Sequence, residues 1–193
     1  MKYNAILLFG APGAGKGTQG KILGAVPNFY HCACGDVFRS LTVESELGRI
    51  FLDYSSRGEL VPDEYTIRLW RAAIEGRKQS GHFQPQHDML VLDGLPRNLK
   101  QARMLDDALN VRAVFNLVCP DRGKLVARLQ RRALRENRLD DANLEVIQQR
   151  LETYDRETKP ILEFYGPNLV HTIDGMQAPI KVLQYILAVL NKL

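Results

Sequence analysis

Gly10-Ala11-Pro12-Gly13-Ala14-Gly15-Lys16-Gly17-Thr18 follows an apolar run, Ala5 to Phe9, and precedes a segment that reads as helix from Gly15 to about Gly24. Strand, glycine-rich turn and helix in that order make a phosphate cradle. Glycines let consecutive backbone N–H groups converge on one anion without side-chain clash, and the helix behind adds the positive end of its dipole. Lys16 brings a full charge to the lip of the loop, where the β and γ phosphates of a nucleoside triphosphate would lie. Gly13, Ala14, Gly15, Lys16, Gly17 and Thr18 are therefore expected to hold a nucleotide. A dinucleotide fingerprint fits less well, because Thr18 stands where that pattern needs glycine.

Working outward, strands and helices alternate along the chain. A short strand is expected near Phe29 to Cys32. Helices follow at Asp36 to about Thr42 and Glu46 to about Arg57, the second with Leu47, Ile50, Phe51 and Tyr54 at helical spacing. Pro62, with Asp63 and Glu64 behind it, opens a helix that should reach about Gln79. Asp88 to Leu92 reads as a buried strand ending at Asp93-Gly94, and Asn98 to Asn110 as an amphipathic helix. Val111 to Val118 is a further strand, Pro120 to about Arg132 a helix, and Ala133 to Leu139 a polar, arginine-rich link. A long helix is expected from Asp141 to Tyr165, kinked by Pro160. Leu169 to Ile173 is the last strand and Pro179 to Leu190 the closing helix. The pattern predicts an α/β fold, a five-stranded parallel sheet with helices on both faces. Ligands of such sheets sit beyond the strand carboxyl ends, so Gly10 to Thr18 and Asp93 to Arg97 should face one crevice.

The bulk properties agree with one soluble unit: 193 residues, 45% hydrophobic and 25% charged. A net charge of +4 permits nucleic-acid binding without requiring it, and a polyanionic small substrate explains a basic cleft equally well. Met1 to Phe9 is too short for a secretory signal, and no apolar stretch is long enough to span a bilayer, so a cytoplasmic protein is expected. Cys32, Cys34 and Cys119 suit reduced thiols better than a disulfide framework, and Cys32-x-Cys34 lacks further ligands nearby for a metal.

Four further stretches supply what a phosphate cradle alone lacks. These are His31-Cys-Ala-Cys34-Gly35-Asp36-Val-Phe-Arg39, then Gly58-Glu59-Leu60-Val61-Pro62-Asp63, then Asp93-Gly94-Leu95-Pro96-Arg97 with Gln101, and Arg128 through Arg138 leading to Arg150. In order and spacing, over nearly the whole chain, they resemble the adenylate kinases. The phosphate loop, G-x-P-G-x-G-K-G-T, also looks like that of the nucleoside monophosphate kinases. The resemblance is to the short form, without the long insert and its four-cysteine zinc site, so no structural zinc is expected.

The resemblance implies a single domain of P-loop NTPase type, with a mobile acceptor-binding segment at about 33–62 and a short lid at about 131–141. It implies reversible transfer of a phosphoryl group from MgATP to AMP, giving two ADP. Arg39 and Arg97 would take the acceptor phosphate, and Arg132, Arg138 and Arg150 the phosphates that meet in the closed state. Arg128 and the backbone of Gln177 would lie against the donor adenine. Cys34, Gly35, Glu59, Leu60, Val61, Gly94, Leu95, Pro96 and Gln101 would surround AMP, with Gln101 reading the adenine edge. Asp93 would hold nucleotide-bound magnesium through water. Asp140 and Asp141 resemble the family's hinge acids, although a plain helix N-cap suits one of them equally well. Arg131, Arg135 and Arg156 are better read as solvated. The partners implied are ATP, AMP and ADP, without nucleic acid or membrane, and short relatives are commonly monomeric.

The chemistry accounts for the arginines independently. A phosphate monoester has a second pKa of about 6, so the acceptor oxygen is largely anionic at neutral pH and needs no general base. What the reaction needs is charge that holds two self-repelling anions in line. Two residues depart from the adenylate pattern: Cys34 stands for a usual threonine and Leu95 for a usual aromatic. A UMP or CMP kinase of the same fold therefore stays open, as does a nucleotide-binding protein without turnover.

Overall fold

The computed structural model describes residues 2–136 and 138–193. Five strands, β1 (Tyr3–Gly10), β2 (Phe29–Ala33), β3 (Met89–Asp93), β4 (Leu109–Val118) and β5 (Val170–Asp174), form one sheet in the order β2-β3-β1-β4-β5. Every pairing is parallel. β1 is central and nearly wholly apolar, as a strand buried on both faces must be. Its side chains alternate between two cores: Ala5, Leu7 and Phe9 join Trp70, Ile74 and Phe83 on one face, while Ile6 and Leu8 join Leu23, Leu125, Leu129, Val182 and Ile186 on the other.

The helices are α1 (Lys16–Leu23), α2 (Cys34–Arg39), α3 (Glu46–Ser56), α4 (Asp63–Gln79), α5 (Leu99–Leu105), α6 (Arg122–Glu136), α7 (Leu144–Tyr165) and α8 (Pro179–Leu190). Local chemistry starts several of them. Ser45 Oγ accepts from the Gly48 N–H at α3, Asn98 from Gln101 at α5, and Asn143 from Glu145 at α7.

Three expectations need correction. The helix expected to Asn110 stops at Leu105, because Leu109 and Asn110 pair with Tyr3 and Asn4 and lengthen β4 at its start. The arginine-rich stretch expected as a link from Ala133 is helical as far as Glu136, since arginine, alanine and leucine are good helix formers and nothing there breaks the turn. Asn137, part of the expected lid, lies outside the described residues. The long helix begins at Leu144 rather than Asp141, with Leu139–Asp141 forming a 3-10 turn ahead of it, and it continues through Pro160. Because Asn143 caps α7, neither Asp140 nor Asp141 is used as its cap.

Candidate active site

In the register of the sheet Leu8 is paired with Asp93, so the loop after β1 and the loop after β3 emerge side by side at the carboxyl edge. Gly13 and Gly15 have φ of 85° and 103°, values that a side chain would strain. Gly15 is the N-cap of α1 and contributes no side chain to it, so the first N–H groups of the helix stay available to an anion.

Above this edge lies a cleft of about 540 Å³. Eight basic side chains line it: Lys16, Lys21, Arg39, Arg97, Arg128, Arg132, Arg138 and Arg150. They come from α1, α2, the loop after β3, α6, the segment between α6 and the 3-10 turn, and α7, and most are held by an oxygen of the chain itself. Lys16 Nζ donates to the carbonyls of Gly10 at 2.6 Å and Ala11 at 3.1 Å. Arg97 Nε donates to Gly94 O at 2.8 Å. Arg39 Nη2 and Arg138 Nη2 both reach Asp36 Oδ1, at 2.6 and 3.3 Å, and Arg138 Nε also donates to Glu136 at 2.6 Å.

Asp141, at the end of the 3-10 turn ahead of α7, is 0% exposed. One oxygen takes Arg132 Nε at 2.6 Å and the other takes Arg150 Nη1, which also reaches Asp140 Oδ2 at 2.8 Å. Burial alone would raise the Asp141 carboxyl, but the two guanidinium groups outweigh it and hold its pKa below the usual carboxylate range. Asp36 behaves likewise: burial raises it, and Arg39 and Arg138 together bring it below that range.

Burial draws the Lys16 ammonium down to about 8, opposed by Asp93 and reinforced by Arg132, Arg97 and Arg150. A bound phosphate would favour the protonated form, so donor affinity should fall as pH rises through about 8. Calorimetry at pH 8 in buffers of different ionisation enthalpy should record net proton uptake on ATP binding. Stability should move the other way. The unfolded lysine titrates at its ordinary 10.5, so between about 8 and 10.5 the unfolded chain binds more protons and the folded form gains.

Beside the loop after β3, Gln101 is 1% exposed. Its Oε1 accepts from the Arg97 N–H at 2.7 Å and its Nε2 donates to Asp63 Oδ1 at 2.8 Å. Asn98 Nδ2 donates to the same Asp63 oxygen at 2.8 Å. Cys34, Gly35, Glu59, Leu60, Val61, Gly94 and Pro96 also line the cleft, with Phe38 and Phe51 stacked at 5.1 Å between ring centroids. Leu95 does not line it; its side chain is wholly buried in the sheet core, where an apolar residue is better accommodated. Burial raises the Cys34 thiol to about 11, so it stays neutral. At the opposite end Arg128 spans the cleft wall, its Nη1 near Gly13 O at 3.4 Å and Gly175 O at 3.2 Å, and Gln177 sits in the same loop as Gly175.

The family profile described as adenylate kinase matches residues 8–169. Among curated relatives, an adenylate kinase of Flavobacterium psychrophilum is 34% identical over 97% of this chain and 98% of the relative. One from Cyanothece sp. is 38% identical over 97% and 95%, and one from Thermobifida fusca 38% identical over 89% of each. The chain belongs to the adenylate kinase family. Its activity is that family's phosphoryl transfer, reversible between ATP plus AMP and two ADP.

Sequence reasoning names Asp140 and Asp141 as acids for the arginines of this adenylate kinase, but gives no role to the carboxylates of Asp36 and Asp63. Asp36 reaches Arg138 across 102 positions and Asp63 reaches Gln101 across 38. No local pattern announces such pairs. Arg131, Arg135 and Arg156 are exposed. Among the described residues, no group of three or more His, Cys, Asp or Glu side chains is arranged to hold a metal ion, and no helix is long and apolar enough to cross a membrane.

Proposed function

We propose that the transfer runs directly and in line within this one cleft, with Lys16 and the loop N–H groups of Gly13 to Thr18 on the donor phosphates and Arg39 and Arg97 on the acceptor phosphate. The observation that carries this reading is the convergence of the eight basic side chains on the cleft at the carboxyl ends of β1 and β3. Arg132, Arg138 and Arg150 stabilise the charge that spreads over the transferring group's oxygens. Because acceptor oxygens are already anionic, no residue is needed to remove a proton. The site is complete within one chain, which supports action as a monomer on free nucleotides.

The residues fit a hydrated magnesium that arrives with the nucleotide. Asp93 ends β3 facing Gly17, whose missing Cβ would lie 3.5 Å from Asp93 Oδ2, and Thr18 follows in the first turn of α1. A single carboxylate beside a phosphate loop is what magnesium uses when phosphates and water complete its shell. When bound, the ion neutralises charge on the donor phosphates. Asp93 orients it, and the chain's own arginines do the rest.

The segment 33–62 covers the acceptor and the lid 131–141 covers the donor, excluding water as they close. Their contact through Asp36 and Arg138 supports this reading. Gln101 and the loop 59–61 select adenine. Cys34 supports a second reading, a pyrimidine monophosphate acceptor, because a thiol is a poor substitute for a hydroxyl donor.

The test is ADP formation from MgATP with AMP, CMP, UMP and GMP in turn. AMP is expected to be the best acceptor, and ATP hydrolysis without acceptor to be slow. A preference for CMP or UMP would establish the second reading. Brisk acceptor-independent hydrolysis would overturn both.

A further inference from the structure

Gln19 lies on α1 just past the phosphate loop and is 2% exposed. Its Nε2 donates to Pro179 O at 3.0 Å, joining α1 to the first turn of α8 across 160 positions. Its Oε1 is buried and meets no donor among the described residues. A buried amide half satisfied in this way costs stability that an apolar side chain of equal size would not, so packing alone does not explain it.

The place it anchors suggests what it does. Pro179 closes the loop that runs from β5 through Gly175 and Gln177 to α8, at the donor end of the cleft. The other end of that loop is anchored too, where Arg128 reaches Gly175 O at 3.2 Å. Gly175 is packed so closely on the phosphate loop that a Cβ there would stand 3.0 Å from Ala14 O. Gln177 thus lies between two fixed points, one tied to the phosphate loop and one tied to the helix behind it.

We propose that Gln19 is a positioning residue for the donor base: through Pro179 it fixes the distance between the phosphate cradle and the backbone of Gln177. This rests on the reading that the Gln177 loop receives the donor adenine. Lengthening that distance misplaces a base whose phosphates are already held, and the loss falls on donor binding and donor choice while the acceptor is untouched.

The experiment compares Gln19→Met, which keeps the length and removes the amide, with Gln19→Glu and Gly175→Ala. ATP and GTP serve as donors, AMP as acceptor, and each variant is melted. For Gln19→Met the expected result is a KM for ATP raised roughly 3- to 10-fold. The preference for ATP over GTP should shrink by a similar factor, the KM for AMP should stay unchanged, and the melting temperature should be unchanged or higher. Gln19→Glu, which cannot donate to Pro179 O once ionised, should show the same donor defect at pH values where the carboxylate is charged. Gly175→Ala presses the loop away from Ala14 directly and should raise the KM for ATP as well. If Gly175→Ala does so and Gln19→Met does not, the tether is overturned and the loop reading survives. If neither variant alters donor KM or donor preference, the loop reading itself fails. A lower melting temperature with ATP and AMP affected alike would reduce Gln19 to a packing residue.

Discussion

Arg97→Ala is expected to lower kcat/KM for AMP by about 10²- to 10³-fold while leaving the melting temperature close to that of the parent. The reason is geometric. Arg97 is exposed, so truncation leaves no cavity, and its Nε is turned back onto Gly94 O at 2.8 Å. Its backbone N–H is fixed by Gln101 at 2.7 Å, which sets where the guanidinium can reach. The fork therefore stands at the carboxyl end of β3, next to the phosphate loop, before any substrate arrives. Preorganised charge acts with little reorganisation when the reaction occurs, which is why its removal affects the rate strongly. Arg97→Lys restores the charge without the planar fork and should recover only a minor part of the loss. Steady-state kinetics with varied AMP decides the matter, and an alanine variant within threefold of the parent would remove Arg97 from the acceptor site.

Asp141→Ala is expected to cost about 3 kcal/mol of stability at neutral pH, together with a marked loss of turnover. Asp141 is wholly buried and faces Arg132 and Arg150, neither of which is much exposed. Without it Arg132 loses its carboxylate partner, and Arg150 keeps only Asp140, so two partly buried cations repel one another. The pH dependence gives an independent check. The folded Asp141 carboxyl titrates below its unfolded value, so its contribution is fully present at neutral pH. That contribution is lost as pH falls through the folded pKa. The stability gap between the parent and Asp141→Ala should accordingly narrow in acid. Denaturant unfolding at several pH values measures it, and a gap that stays constant or widens on acidification would show that the carboxylate is not the stabilising group. Turnover should fall alongside, since Arg132 and Arg150 line the cleft and lose the group that aims them.

The sequence by itself determined the sheet class and the phosphate loop, because both depend on local regularities. An apolar strand, glycines at short spacing and a lysine at the start of a helix are read within a dozen residues, and alternating periods of two and 3.6 mark the parallel architecture. The same locality explains what was read less well. The start of β4 reads as helix from the sequence because Leu109 and Asn110 become strand only by pairing with Tyr3 and Asn4. Asp141 could be a helix cap or a hinge acid until Asn143 took the cap and left Asp141 to turn inward. The tertiary structure alone decided that Asp36 holds Arg138, that Leu95 is in the core and not the cleft, and that Gln19 ties α1 to α8. Those choices depend on groups far apart in the chain that meet only when the sheet has assembled, and on burial, which decides whether a polar atom needs a partner at all.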